Sequence, residues 1–267
     1  MKSVGVIDNE IYRYAGHLWW DEASSAASLR YMMNPVRFGY FRAVLEGEQV
    51  PSGLTRTVLD VGCGGGLLAE EFAKLGYAVT GVDPAPESLE CAQKHAAAGG
   101  LEIEYRAGRG ENLPFDASSF DIALCCDVLE HVDDVGRVLG EIARVLRPGG
   151  LFFYDTVNRT LASKLAVIKV SQEWRSTAFN EAATHVWSKF IKPKELTAMM
   201  ADKGLTARGM RGISPGANPI SALLNLRRRA KGKIDFRELA RRMRLHESDD
   251  TSVSYMGYAV KARVAHL

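Results

Sequence analysis

Hydrophobic periodicity divides the chain into three stretches. From residue 57 to about 156, the short apolar or alternating runs TVLDVG, AVTGVD, LEIEYRA, FDIALCC and LFFYDT predict β-strands. Between them, LLAEEFAKLG and PESLECAQKHAAAGG have helical spacing and end in glycines that suit helix C-termini. In DVGRVLGEIARVLRPGG, the residues Val135, Val138, Leu139, Ile142 and Val145 share one helical face, and Pro148 with two glycines closes the pattern. Such alternation predicts a parallel sheet covered by helices. Further on, FIKPKELTAMMADKGLTARGM reads as a helix and a strand, and SVSYMGYAVKARV as a final strand. Segments 157–190 and 213–250 break the rhythm and read as insertions into a domain spanning 51–267, preceded by an aromatic-rich helical arm over 1–50.

Composition narrows the class. With 267 residues, 46% hydrophobic and 25% charged, the chain can bury one sizeable core. No apolar run approaches the roughly 20 residues that span a bilayer, and MKSVGVIDNE lacks the apolar core of a signal peptide. A cytoplasmic protein is expected. Cys63, Cys91, Cys125 and Cys126 contain no pair of CxxC units, so neither a zinc site nor a disulfide framework is suggested. The net charge of +2 conceals a basic stretch, Arg227 to Arg244, with nine basic and two acidic residues. It suits phosphates or an anionic membrane surface, or is a solvated helical face.

The first chemical signal is VLDVGCGGG at 58–66, a strand ending near Asp60 followed by four glycines and a helix. Glycines let the backbone turn tightly and let a ligand approach the main chain. Asp83 closes the next strand 21 residues past Gly62, where a carboxylate can accept hydrogen bonds from ribose hydroxyls. The dinucleotide fingerprint needs glycine where Leu67 stands, and Asp60 repels a pyrophosphate; no GKS or GKT follows, which excludes a phosphate loop. A cationic ligand with a ribose and an amino-acid end fits better, and S-adenosyl-L-methionine is such a ligand.

VLDVGCGGG, VTGVD, ENLPF, FDIALCCDVLEHV and VLRPGG, in this order, resemble the class I S-adenosylmethionine-dependent methyltransferases over about residues 50–156. HLWWD, NPVRFGYF, LEHV, VNR, THVWSKFIKPKEL and NPI extend the resemblance to the ubiquinone-biosynthesis O-methyltransferases. That family implies an α/β, Rossmann-like doubly wound sheet of seven strands, the last antiparallel, with the arm and insertions forming a cap. It implies methyl transfer to a hydroxyl of a phenol or catechol-like polyprenyl quinol precursor. Arg37, Gly62, Asp83 and Cys126 match its cofactor-contacting positions, and Asp60 and Gly64 join them from the loop itself. Relatives with GDAENLPF place an aspartate near the adenine amine; this chain reads GRGENLPF, so adenine recognition is expected from the backbone near Gly110 and Glu111.

The second signal is CCDVLEHVDD at 125–134. Asp127, Glu130 and His131 have the spacing i, i+3, i+4 of one helical face, and two carboxylates with an imidazole suit Mg²⁺ or another divalent cation. The resemblance implies a metal held at these positions, Asp127 replacing a longer acid. Metal-free base or orienting roles for Glu130 and His131, and a purely structural role, stay open. Asp133 and Asp134 read as helix-start charges. His185 is the other candidate base, or simply exposed; Trp19 and Trp20 form a lid over the pocket or pin the arm to the core. The expected partner is a small aromatic molecule, with the insertions as candidates for peripheral membrane contact. No nucleic acid is expected, since no reading domain or NPPY-type motif accompanies the arginine run. Rival readings are an O-methyltransferase of secondary metabolism, a nitrogen or carbon acceptor, a nucleic-acid methyltransferase, and a non-catalytic cofactor-binding protein.

Overall fold

Five strands, β1 (Thr57–Val61), β2 (Ala78–Asp83), β3 (Ile103–Ala107), β4 (Phe120–Cys126) and β5 (Leu146–Val157), run parallel in the computed structural model, which describes residues 16–50, 53, 56–179 and 184–263. The central ones are almost wholly buried, as sheets covered on both faces require. Three more strands, β6 (Leu205–Pro215), β7 (Leu245–Ser248) and β8 (Ser254–Lys261), complete the order β3-β2-β1-β4-β5-β8-β6-β7. The sheet therefore has eight strands, not seven. β6 extends past its pairing with β8, and Gly212–Pro215 pairs with the four residues of β7, which lie inside the expected 213–250 insertion. β8 is antiparallel to β5, as expected of the last strand, and β7 is antiparallel to β6.

The helices are α1 (Asn34–Gly47), α2 (Leu67–Lys74), α3 (Pro86–Ala98), α4 (Val135–Val145), α5 (Pro193–Asp202), α6 (Pro219–Ala230) and α7 (Phe236–Met243). Proline supplies the first turn of α3, α5 and α6, where its missing N–H costs nothing. Asp134 caps α4 by accepting from the Arg137 N–H at 2.9 Å, so its helix-start role is local geometry. One face of the sheet packs on Val138, Leu139, Ile142 and Met200. The other packs on Phe41 and Phe72, with Phe41 and Phe153 ring centroids 4.7 Å apart.

The arm and insertions form a cap. Leu161–Ser163 continues into a π-helical stretch, Lys164–Glu173, and α6 and α7 form the second insertion between β6 and β7. Ala27 and Met32 of the arm share a small core with Leu226, Phe236, Leu239 and Met243. Part of the basic stretch is spent on this contact: Arg229 donates to the Ala23 carbonyl at 3.1 Å, and Arg237 donates to the Tyr31 hydroxyl at 2.7 Å. Residues 1–15, including the start of the aromatic arm, lie outside the described residues. No helix among the described residues is long and apolar enough to cross a membrane.

Candidate active site

Strand order reverses between β1 and β4, and open α/β sheets bind ligands at the carboxyl ends of strands beside such a reversal. Both sequence signals lie there. The loop after β1 places Gly62, Gly64 and Gly66 at φ +72°, +50° and +81°, the left-handed region that glycine enters without strain. A Cβ at Gly62 would lie 2.3 Å from a Val128 methyl carbon, and one at Gly64 would lie 2.4 Å from the Trp19 ring. Asp83 secures the loop by accepting from the Gly64 N–H and the Ala85 N–H, each at 2.9 Å. Each of its oxygens keeps a lone pair for a ribose hydroxyl.

Asp60, at 3% exposure, borders the same cavity; burial first, and then Asp83 nearby, push its carboxyl up to about 7, against an opposing hydrogen bond from the Ala69 backbone. Burial also raises Asp83. Cys126, Gly110 and Glu111 line this end. Glu111 itself faces Arg109 at 3.5 Å and the Asp133 N–H at 3.4 Å. Burial drives the Cys63 and Cys126 thiols well upward, which removes thiolate chemistry. Trp19 lies over the glycine loop and donates to the Ser88 hydroxyl, while Trp20 donates to the Gly65 carbonyl at 2.8 Å and stacks on His95 at 3.3 Å. The two tryptophans both cover the loop and pin the arm.

The stretch after β4 departs from the expected helical turn. Asp127 has φ +54°, uncommon for a residue with a Cβ, and Leu129–His131 form an open turn closed by the His131 N–H donating to the Val128 carbonyl. Asp127 is thereby turned toward Arg37, whose guanidinium lies 2.6 Å from it and 3.3 Å from Asp155. Burial works against the Arg37 charge, and the two carboxylates more than offset that. The metal set expected from spacing is thus regrouped. Glu130, His131 and His185 have ligand atoms within 4.8 Å of one another, while Asp127 stands outside, engaged by arginine.

His185 arrives from the first insertion, its ring centroid 5.2 Å from that of His131. The Gln172 side chain holds it by accepting from the His185 N–H at 2.8 Å and donating to its carbonyl. Burial, and then His185, depress His131 to about 3; burial lowers His185 as well. Burial, and then Asp127 and Asp155, raise Glu130 to about 8. Both imidazoles are therefore neutral at pH 7, the form in which a histidine ligates a metal. Glu130 Oε1 and His185 Nδ1 are buried with no hydrogen-bond partner, so the trio fits a divalent cation. Asp155 and Thr156, absent from the sequence reading, border the same cavity.

That cavity, about 1280 Å³, runs from the glycine loop past His131 and His185, with Glu130 buried behind them, to apolar residues of the arm and cap, including Met32, Leu165, Val170, Leu223 and Met243. Residues 59–154 match a family model described as a methyltransferase domain. A ubiquinone biosynthesis O-methyltransferase of Caulobacter vibrioides is 38% identical over 76% of this chain and 81% of its own length. One of Xanthomonas axonopodis pv. citri is 36% identical over 97% of both. The chain belongs to the ubiquinone biosynthesis O-methyltransferase family. It is an S-adenosylmethionine-dependent O-methyltransferase. Solved structures share the fold alone: a SAM-dependent methyltransferase of Aquifex aeolicus (TM-score 0.55, 13% identity, 89% of this chain and 94% of that one) and the cyclase SpnF (TM-score 0.61, 15% identity, 98% of both).

Proposed function

We propose that the chain methylates a hydroxyl of a catechol-like quinol precursor carrying an apolar, polyprenyl-type tail, with Glu130, His131 and His185 acting on the acceptor oxygen. The observation that carries this reading is one continuous cavity with the glycine loop at one end, His131 and His185 beyond it with Glu130 against them, and an apolar wall after that. Its volume exceeds the roughly 300–1,000 Å³ typical of a single small-ligand pocket, which suits donor and acceptor together.

The transfer is an in-line displacement. The acceptor oxygen forms the new O–CH₃ bond as the sulfonium S–CH₃ bond breaks, giving S-adenosylhomocysteine, an aryl methyl ether and a proton. A phenol has an unperturbed pKa of about 10 and needs help to lose that proton near neutrality. Of the two imidazoles that line the cavity, His185 accepts it, since His131 at about 3 is the weaker base. Glu130 lies against the two imidazoles with Oε1 unpartnered, and its carboxyl group orients them. A divalent cation such as Mg²⁺, held by these same three residues, would supply polarisation of the acceptor oxygen.

The cap brings the cavity mouth to a membrane surface, where such tails reside. The large hydrophobic residues exposed among the described residues, Leu161, Leu165, Trp174, Ile220 and Leu224, all belong to the two insertions. Ile220 and Leu224 lie one turn apart on α6, with exposed Arg227 and Arg228 following.

The experiment is calorimetric titration with S-adenosylhomocysteine, then with a catechol in the presence and absence of Mg²⁺, followed by turnover with catechols with and without a prenyl tail. Catechol binding after the cofactor, and faster turnover of the tailed compound, are expected. Cofactor binding without turnover of any catechol would refute the acceptor class.

A further inference from the structure

Two consecutive residues at the end of β5 hold the turn that carries Glu130 and His131. Successive side chains of a strand point to opposite faces, and here each face engages a different end of the turn. On one face, Asp155 accepts from the Asp127 N–H at 2.8 Å and lies 3.3 Å from Arg37. Asp127, in its left-handed conformation, also bonds Arg37. On the other face, the Thr156 hydroxyl donates to Glu130 Oε2 at 2.7 Å. Thr156 and Glu130 are 2% and 1% exposed. No other side-chain hydrogen bond reaches this carboxyl group among the described residues, and Oε1 is left without a partner.

We infer that Thr156, with Asp155 beside it, is a positioning residue that fixes the Glu130 carboxyl against His131 and His185, the pair that lines the acceptor end of the cavity. Asp155 sets the backbone from which the turn starts; Thr156 sets the rotation of the side chain at its far end. The register Cys126↔Asp155 brings the end of β5 alongside the end of β4, so a single strand end orients the acceptor group. Arg37 ties that same point to α1. The inference rests on the reading that Glu130 acts on the acceptor.

The test compares Thr156→Val, which keeps shape and loses the donor, with Thr156→Ser, which keeps the donor, and with Glu130→Gln. S-adenosylhomocysteine affinity is read by calorimetry, and kcat and KM with a catechol acceptor. Loss of one hydrogen bond to a buried carboxyl group is expected to lower kcat/KM for the acceptor by about 10- to 100-fold in Thr156→Val, with cofactor affinity unchanged and Thr156→Ser restoring turnover. Wild-type turnover in Thr156→Val beside an impaired Glu130→Gln would overturn the positioning role and leave the acceptor reading intact. A parallel loss of cofactor affinity in Thr156→Val would also overturn it, as general damage to the site. Full turnover in Glu130→Gln would instead overturn the acceptor reading, and the inference with it.

Discussion

Replacing Asp60 by asparagine separates what the site needs from what the fold prefers. Asp60 is buried, and its carboxyl is raised from 3.8 to about 7. The folded protein therefore binds this proton more tightly than the unfolded chain does. The stability linked to it is present below about pH 4, falls as pH rises from there to about 7, and is flat above. A gap of about three pH units corresponds to at most about 4 kcal/mol at 1.36 kcal/mol per unit. Asparagine keeps an oxygen to accept from the Ala69 N–H and carries no charge at any pH. Asp60→Asn is therefore expected to be about 2–4 kcal/mol more stable than wild type at pH 8 and nearly equal at pH 4.5. Thermal and urea unfolding at both values, without ligand, measures this; about 5–15 °C is expected at pH 8. Asparagine also loses attraction for the cofactor ammonium, so stabilisation by S-adenosylhomocysteine should shrink in the variant. Equal effects at the two pH values would refute the burial argument, and undiminished cofactor stabilisation would refute the charge role.

Gly64→Ala puts a methyl group at φ +50° against Trp19; cofactor affinity should fall at least about 10-fold in a calorimetric titration. Glu130→Ala combined with His131→Ala should lower turnover by about 10²–10⁴ while S-adenosylhomocysteine still binds; retained turnover in a methyl-transfer assay would remove both residues from the chemistry. Ile220→Asp with Leu224→Asp should abolish co-sedimentation with anionic vesicles and leave turnover of a tailless catechol unchanged; undiminished sedimentation would argue against this face. Two imidazoles and a carboxylate favour Zn²⁺, then Mn²⁺, over Mg²⁺, so competitive titration of the metal-free protein should rank the ions Zn²⁺, Mn²⁺, Mg²⁺, and tighter Mg²⁺ binding would contradict the donor set.

The parallel half of the sheet and the glycine-rich turn after β1 were legible because their information is local. The spacing from Gly62 to Asp83 follows one strand–helix–strand unit, and the structure closes it with the Asp83 bonds to Gly64 and Ala85. The acceptor end was only partly legible. Spacing placed Asp127 beside Glu130 and His131 on a helix, but Asp155 captures the Asp127 N–H and Arg37 captures its carboxylate, from 28 and 90 residues away. Neither partner leaves a mark on the local pattern, and Asp155 directly follows the apolar run Leu151–Tyr154 of β5. His185 was a residue of interest with no known neighbour until the first insertion folded it onto His131. β7 escaped notice because four residues, half exposed, carry too little periodicity. The basic stretch read as a charge run, although two of its arginines hold the arm 206 residues away.

The charge balance of the cavity constrains what it receives. Asp60, Asp83, Glu130 and Asp155 are buried, Asp127 is partly so, and among the described residues Arg37 forms its ion pairs with Asp127 and Asp155. Both histidines are neutral at pH 7. Buried carboxylates without partners are costly, and the upward shifts of Asp60, Asp155 and Glu130 express that cost as retained protons. A ligand that brings positive charge relieves it; one that brings negative charge adds to it. The sulfonium donor meets this condition, and once it has lost its methyl group its sulfur no longer carries the charge that the cavity favours. The acceptor must enter as a neutral phenol, because a phenolate would meet the same carboxylates. On that balance, proton removal belongs to the bound complex, after donor charge is in place.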